Sequence, residues 1–264
     1  MFPLRTKCIG VVSIFSLVFI LINPALSEMS ISERSLPADT VIKDLFQPGA
    51  GLPVGKIHSL RGEAHIYHQD LSVGYRARTG LPLYRGDILQ TLAKARVLCR
   101  LVDGSRLTLA PQTTLTIVQS NSNSARNSSL SFLNLQQGAI RFEVNANPQA
   151  AAFEFKVQAQ DAFVLAKDAN FIIKASASQT EINTFQKSRL EVTSLAEPEE
   201  IHFLSDYQRI IVKPHTLAPS VGAISSQEAE ALMAEFRLVP EHIAFASDTI
   251  SGRISDTTEE TPPE

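Results

Sequence analysis

The chain has 264 residues, 44% hydrophobic and 19% charged, with a formal net charge of −3. That apolar share is ordinary for a globular chain and excludes general disorder, and the acidic balance without a basic stripe excludes a typical nucleic-acid binder. Of the two cysteines, Cys8 lies in a leader expected to be removed, so Cys99 stands alone, which excludes an internal disulfide or a zinc site of several thiolates.

Arg5 and Lys7 precede an apolar run from Ile9 to Ile22, Pro24 ends it, and Ala25 and Ser27 place small residues at the −3 and −1 positions of a cleavage site. This is the layout of a secretory signal peptide over residues 1–27. The run of about 14 residues falls short of the ~20 that span a bilayer, although an uncleaved anchor is the alternative reading. Glu28, not cysteine, follows the cleavage point, which argues against a lipoprotein. No second run of spanning length occurs, so the mature protein is expected in the periplasm or secreted, with no membrane span. Residues 28–53 form a lead-in in which Pro37 to Phe46 is expected to be a short helix, with Val41, Ile42, Leu45 and Phe46 on one face and Pro48-Gly49 ending it.

From Val54 the pattern becomes one of short strands, which defines a mainly β domain over residues 54–215. Ala95 to Leu101 alternates, with Val97, Cys99 and Leu101 on one side. Asp103-Gly104 then separates it from Arg106 to Leu109, a strong hairpin signal because both turn residues tolerate positive φ. Further strands are expected at 114–118, 130–135, 139–144, 153–157, 162–166, 170–175, 180–185, 189–194, 199–204 and 208–213. Strands at spacings of roughly ten residues without long helices between them describe a sandwich, barrel or solenoid. The polar stretch 119–129 is expected to be a mobile loop, and Asn127 within it heads a glycosylation sequon that matters only in a eukaryotic secretory pathway. Residues 216–246 form a helical segment. Ser225 to Glu228 resembles a capping box, followed by Ala229, Leu232, Met233 and Phe236 on one face. The Thr-, Asp-, Glu- and Pro-rich tail over 247–264 is expected to be disordered.

The run Leu83-Tyr84-Arg85-Gly86-Asp87-Ile88-Leu89-Gln90-Thr91 resembles the FecR domain family. Val54 to Ile57 and Leu60 to Ala64 are similar to its opening strands, and Gly86-Asp87 followed by Thr91 to its Gly-Asp turn. Leu101 to Ser105, running into Leu107 to Pro111, is similar to its central hairpin. Leu135 to Ile140, with Gly138, is similar to one of its strand starts, and Phe155-Lys156-Val157 opens the last recognisable stretch. The resemblance extends over residues 54 to 195. Two features depart from it: Asp168-Ala169-Asn170 stands where a Gly-Thr pair is usual, and a turn glycine is replaced near Lys187-Ser188, which leaves the strand order of the second half open. The resemblance implies a periplasmic β-rich domain. Its best-known type adds a cytoplasmic sigma-regulating segment and a membrane helix, and relays a signal from an outer-membrane transporter. Eight residues precede the apolar run here, so the exported domain alone is expected and the sigma-regulating role is not carried over.

Three patterns invite chemistry and each has a plainer reading. Arg85-Gly86-Asp87 spells an adhesion tripeptide, but Gly86 suits a strained turn angle and Asp87 a side-chain cap. His65 and His68, with Asp70 nearby, suggest a metal, yet on a strand the two imidazoles point to opposite faces and are expected to be exposed. Cys99 shares its face with Val97 and Leu101, as a small buried hydrophobe does. The elbow of Ser hydrolases, the zinc-protease helix, the phosphate loop and the dinucleotide fingerprint do not occur, so no catalytic, cofactor or metal residue is assigned. The residues singled out are the structural turns Gly86, Asp87, Asp103, Gly104 and Gly138. The reading is a non-catalytic binding or scaffold module of the bacterial envelope, with a protein or polymer partner and neither nucleic acid nor cofactor. The alternative is a sensory or regulatory subunit acting through a membrane partner. A carbohydrate binder is disfavoured by the absence of Trp and the presence of only 4 Tyr.

Overall fold

The computed structural model describes residues 40–68, 73–123, 125–145, 152–214 and 219–238. The signal peptide with Ala25 and Ser27, the start of the lead-in, Asp70 and the tail over 247–264 lie outside the described residues.

Apolar–polar alternation sets a succession of short strands along the chain. First come β1 (Val41–Lys43), β2 (Gly55–Arg61), β3 (Ala64–Tyr67), β4 (Val73–Arg76), β5 (Pro82–Leu83) and β6 (Ile88–Thr91). Next are β7 (Arg96–Leu101), β8 (Arg106–Leu109), β9 (Thr114–Asn123), β10 (Ser128–Val144), β11 (Ala152–Ala159) and β12 (Ala162–Ser176). Last are β13 (Gln179–Thr184), β14 (Arg189–Ser194), β15 (Ile201–Leu204), β16 (Gln208–Val212), β17 (Ser220–Ala223) and helix α1 (Ser226–Ala234).

The strands pair into two sheets. The first runs β1-β4-β3-β6-β9-β10-β11-β12-β14-β15. The second runs β5-β2-β7-β8-β10-β12-β13-β16-β17. All pairs are antiparallel except β1–β4 and β10–β11. Ile66, Leu89, Val157 and Val192 of the first sheet share one buried cluster with Ile57, Leu107, Phe142 and Ile182 of the second, so the sheets face each other across a common core. At its centre Phe142 stacks on Phe171 with ring centroids 4.8 Å apart and meets the edge of Phe155 at 5.9 Å.

β10 and β12 belong to both sheets, and each crosses at a bulge. In β10, Leu133 and Leu135 face the core before the crossing and Ile140, Phe142 and Val144 after it, so the inward side changes from odd to even numbers. The ladder shifts register between Leu135 and Gln137, beside Gly138 at φ +94°. In β12 the inward side changes from Val164 and Ala166 to Ala169 and Phe171, with a register shift between Ala166 and Asp168. One extra residue reverses the facing of every later side chain, which keeps a strand pointed at the core as it passes from one layer to the other. The breaks expected after 135 and after 166 are therefore crossings inside continuous strands.

Two other expectations are corrected. The segment read as a helix over 37–46 holds β1 from Val41, and residues 37–39 lie outside the described residues. Ile42 packs over Gly74 of β4, where a Cβ would stand 2.6 Å from its Cδ1, so pairing with β4 overrides the helical spacing. The stretch 119–129 is largely ladder: Ser122, Asn121 and Ser120 of β9 pair with Ser129, Leu130 and Ser131 of β10, with Asn127 in the turn. Across the two strands Ser120 Oγ lies 2.8 Å from Ser131 Oγ. The ladder thus needs no apolar anchor.

Helix α1 begins as its capping box dictates, Ser225 Oγ accepting the Glu228 N–H. Ala229, Leu232 and, just beyond the helix, Phe236 pack on Ile172, Phe185 and Ile224, covering the outer face of the second sheet. Arg209 to Glu228 and Lys174 to Glu235 are ion pairs at its margins, at 2.5 and 3.0 Å. The segment 216–246 is thus part strand, since β17 precedes the helix.

Candidate interaction surface

The Gly-Asp turn is a buried polar knot. Gly86 takes φ +82°, its N–H bonding to the Ile117 carbonyl. Asp87, only 1% exposed, accepts the Tyr84 N–H through Oδ2 at 2.8 Å, the cap read from the sequence for this turn. Its other oxygen lies 2.7 Å from Nδ1 of His68. The Nε2 of His68 sits 2.8 Å from the carbonyl of Gln47, an acceptor only, so Nε2 carries a proton. Phe46, Tyr75 and Tyr84 surround the imidazole with centroids 5.7, 5.2 and 5.8 Å away. Burial pushes the Asp87 carboxyl above its ordinary range, while the His68 and Tyr84 hydrogen bonds and the His68 charge pull the other way. This group fastens the lead-in at Phe46 and Gln47 to the domain.

The remaining marked turns are structural as well. In the hairpin between β7 and β8 only Gly104 takes positive φ, +90°. Asp103 works through its side chain, Oδ1 accepting the Ser105 N–H at 2.8 Å and Oδ2 the Ser131 hydroxyl at 2.6 Å. A Cβ at Gly138 would lie 2.5 Å from the Cα of Thr113 and 2.7 Å from the Gln112 carbonyl. Thr113 Oγ1 both donates to the Ala139 carbonyl and accepts its N–H. Thr91, unassigned from sequence, holds the facing turn by donating to the Ala110 carbonyl at 2.6 Å and accepting the Thr113 N–H.

His65 and His68 are separated, but neither is an exposed strand residue. His65 is buried, with Nε2 3.1 Å from Glu63, whose carboxylate also faces Arg76 at 3.4 Å. Among the described residues no three His, Cys, Asp or Glu side chains gather as a metal ion requires. Cys99 is 1% exposed, and burial pushes its thiol up to about 12. Lys187, where the turn glycine is replaced, takes the left-handed conformation at φ +61°.

Among the described residues four strands terminate the sheets, each with a single strand partner: β1 and β15 in the first, β5 and β17 in the second. Pro82 in β5 lacks an N–H, β1 ends in Lys43, and β17 contains Gly222. β15 has none of these blocks. Its Ile201 and Phe203 are 48% and 73% exposed on the outer face. Beside it a groove of about 590 Å³ is lined by Leu165, Lys167, Arg189, Glu191, Phe203 and Gln208.

Residues 87–187, from the Gly-Asp turn through the turn after β13, match the family model described as FecR protein. No curated protein matches the chain. The fold is similar to two crystal structures of a candidate anti-sigma factor from Parabacteroides distasonis ATCC 8503. The first has a TM-score of 0.45 and 17% identity, covering 55% of this chain and 63% of that one. The second has a TM-score of 0.44 and 18% identity, covering 55% and 64%. The chain thus spans less than two thirds of either.

Proposed function

We propose that this chain is an exported, non-catalytic FecR-domain module of the bacterial envelope that holds a protein or polymer partner along an open sheet edge. The observation that carries the reading is β15, which among the described residues is paired on one side only, with Phe203 73% exposed. An unpaired edge offers a row of main-chain donors and acceptors to an added strand, and neighbouring side chains supply specificity. The signal-peptide layout over residues 1–27 supports export. The use of the buried His68–Asp87 pair to hold the lead-in supports a structural rather than a catalytic role for it.

The FecR match favours a second reading, a sensory or regulatory subunit whose bound partner sits in the membrane. The test is cross-linking of the tagged mature protein in envelope extract, wild type against Ile201→Lys and a scrambled-loop control. A species captured by wild type and lost on substitution is the expected result; capture no better than the control overturns the binding reading. Deletion of the gene separates the second reading, since a regulatory subunit changes transcription and a scaffold does not. The mass of the exported form tests cleavage after Ser27.

A further inference from the structure

We propose that β15 pairs with β15 of a second copy of this chain, antiparallel about a twofold axis through His202, so that the first sheet runs on across two molecules. The inference rests on the reading of this edge as a binding element and names its occupant.

Two independent patterns make the strand complementary to itself. The first is apolar. On the outer face Phe203 lies across from Glu191 and Ile201 across from Thr193 of β14. A twofold axis through His202 sets Ile201 of each copy opposite Phe203 of the other, so both exposed apolar side chains are covered twice by one symmetric contact. Aromatic and β-branched residues facing each other across strands are a favourable pairing. An isologous interface requires such self-complementarity.

The second pattern is charge. Glu199 and Glu200, both exposed, precede β15. At the other end of the strand, exposed Arg189 follows the register one step beyond the Leu190–Leu204 pair and so lies beside Ser205. Lys167, 66% exposed, lines the same groove. Antiparallel pairing about His202 continues the acidic end of one copy alongside Ser205 of the other, bringing Glu199 toward Arg189 on both sides of the axis. A parallel arrangement would set acid against acid and base against base. The charges therefore select the antiparallel register that also pairs Ile201 with Phe203.

The experiment is sedimentation equilibrium of the mature protein and its variants, with melting curves confirming that each folds. Wild type is expected to be a dimer. Phe203→Lys should weaken dimerisation about thirtyfold or more, as loss of a central aromatic contact does. Glu199→Lys and Arg189→Glu should each be shifted toward monomer, and mixing the two should restore dimers, because each then meets the opposite charge on the other. A wild-type monomer, a dimer indifferent to Phe203→Lys, or a mixture that stays monomeric overturns the proposal. If a monomeric wild type still captures an envelope species that Ile201→Lys loses, a foreign strand occupies β15 and the edge reading stands alone. If capture also fails, both readings fall.

Discussion

His68 and Asp87 are hydrogen-bonded: Nδ1 and Oδ1 lie 2.7 Å apart, and the far side of the imidazole is committed to the Gln47 carbonyl. Burial of Asp87 outweighs its hydrogen bonds to His68 and Tyr84 and pushes its carboxyl above the ordinary range. The folded state therefore holds the Asp87 proton more tightly than the unfolded chain does.

From this follows a pH dependence of stability. A carboxyl whose folded value is raised contributes most below its ordinary range, and that contribution is lost as pH rises through the folded value. Asp87→Asn keeps an oxygen for the Tyr84 N–H and supplies a donor to Nδ1. Urea midpoints across the acidic range should therefore fall less with rising pH in Asp87→Asn than in wild type. Parallel profiles would show that Asp87 does not titrate in this way.

Asp87→Ala should be far more harmful. It leaves the Tyr84 N–H and His68 Nδ1 without their partner in a buried site, and each such orphan costs about 1–3 kcal/mol. A loss under about 1 kcal/mol in chemical denaturation would mean that water reaches the knot.

Gly138 and Gly104 share a left-handed backbone but not a setting. At Gly104 no heavy atom lies within 4 Å of an added Cβ, so Gly104→Val meets only the backbone penalty, about 1–3 kcal/mol. Gly138→Ala adds a collision with the main chain of Thr113 and Gln112 and should be the more damaging of the two, although alanine is the smaller residue. Equal unfolding midpoints would place the bulge elsewhere.

Cys99 should be inert toward iodoacetamide in the folded protein, since its thiol is buried and held up to about 12. Modification should track global unfolding, accelerating only as denaturant approaches the midpoint. Fast labelling in buffer would show that β7 opens locally.

The cover formed by α1 should depend on packing more than on its ion pairs. Leu232→Ala removes a side chain that is 7% exposed in the cluster with Ile172 and Phe185, at a cost of about 2–4 kcal/mol. Glu228→Ala breaks a half-exposed pair with Arg209 and should cost under about 1 kcal/mol. A reversed order in thermal melts would contradict this packing account.

Strand identity was readable wherever alternation had a buried side, as at Val97-Cys99-Leu101, and the start of α1 wherever a cap is a local hydrogen bond, as at Ser225. Long-range partners were not readable. Period two separates His65 from His68, but nothing local announces that Asp87, nineteen residues further on, meets His68. A one-residue bulge looks like the gap between two strands, so β10 and β12 each appeared as a pair. The Ser-Asn stretch hid a ladder because its cohesion comes from hydroxyls and the backbone. Lys187 shows why a missing glycine need not erase a turn: the lysine adopts the angle itself.

The passage of β10 and β12 through both layers governs how such a molecule can change in length. Hairpins added at the outer margins merely lengthen the slab. Removing a single residue at either corner, by contrast, would turn half a strand inside out, sending phenylalanines to water and polar side chains to the interior. Insertions and deletions should therefore accumulate at the two extremities, with the pair of through-going strands as the part whose residue count stays constant.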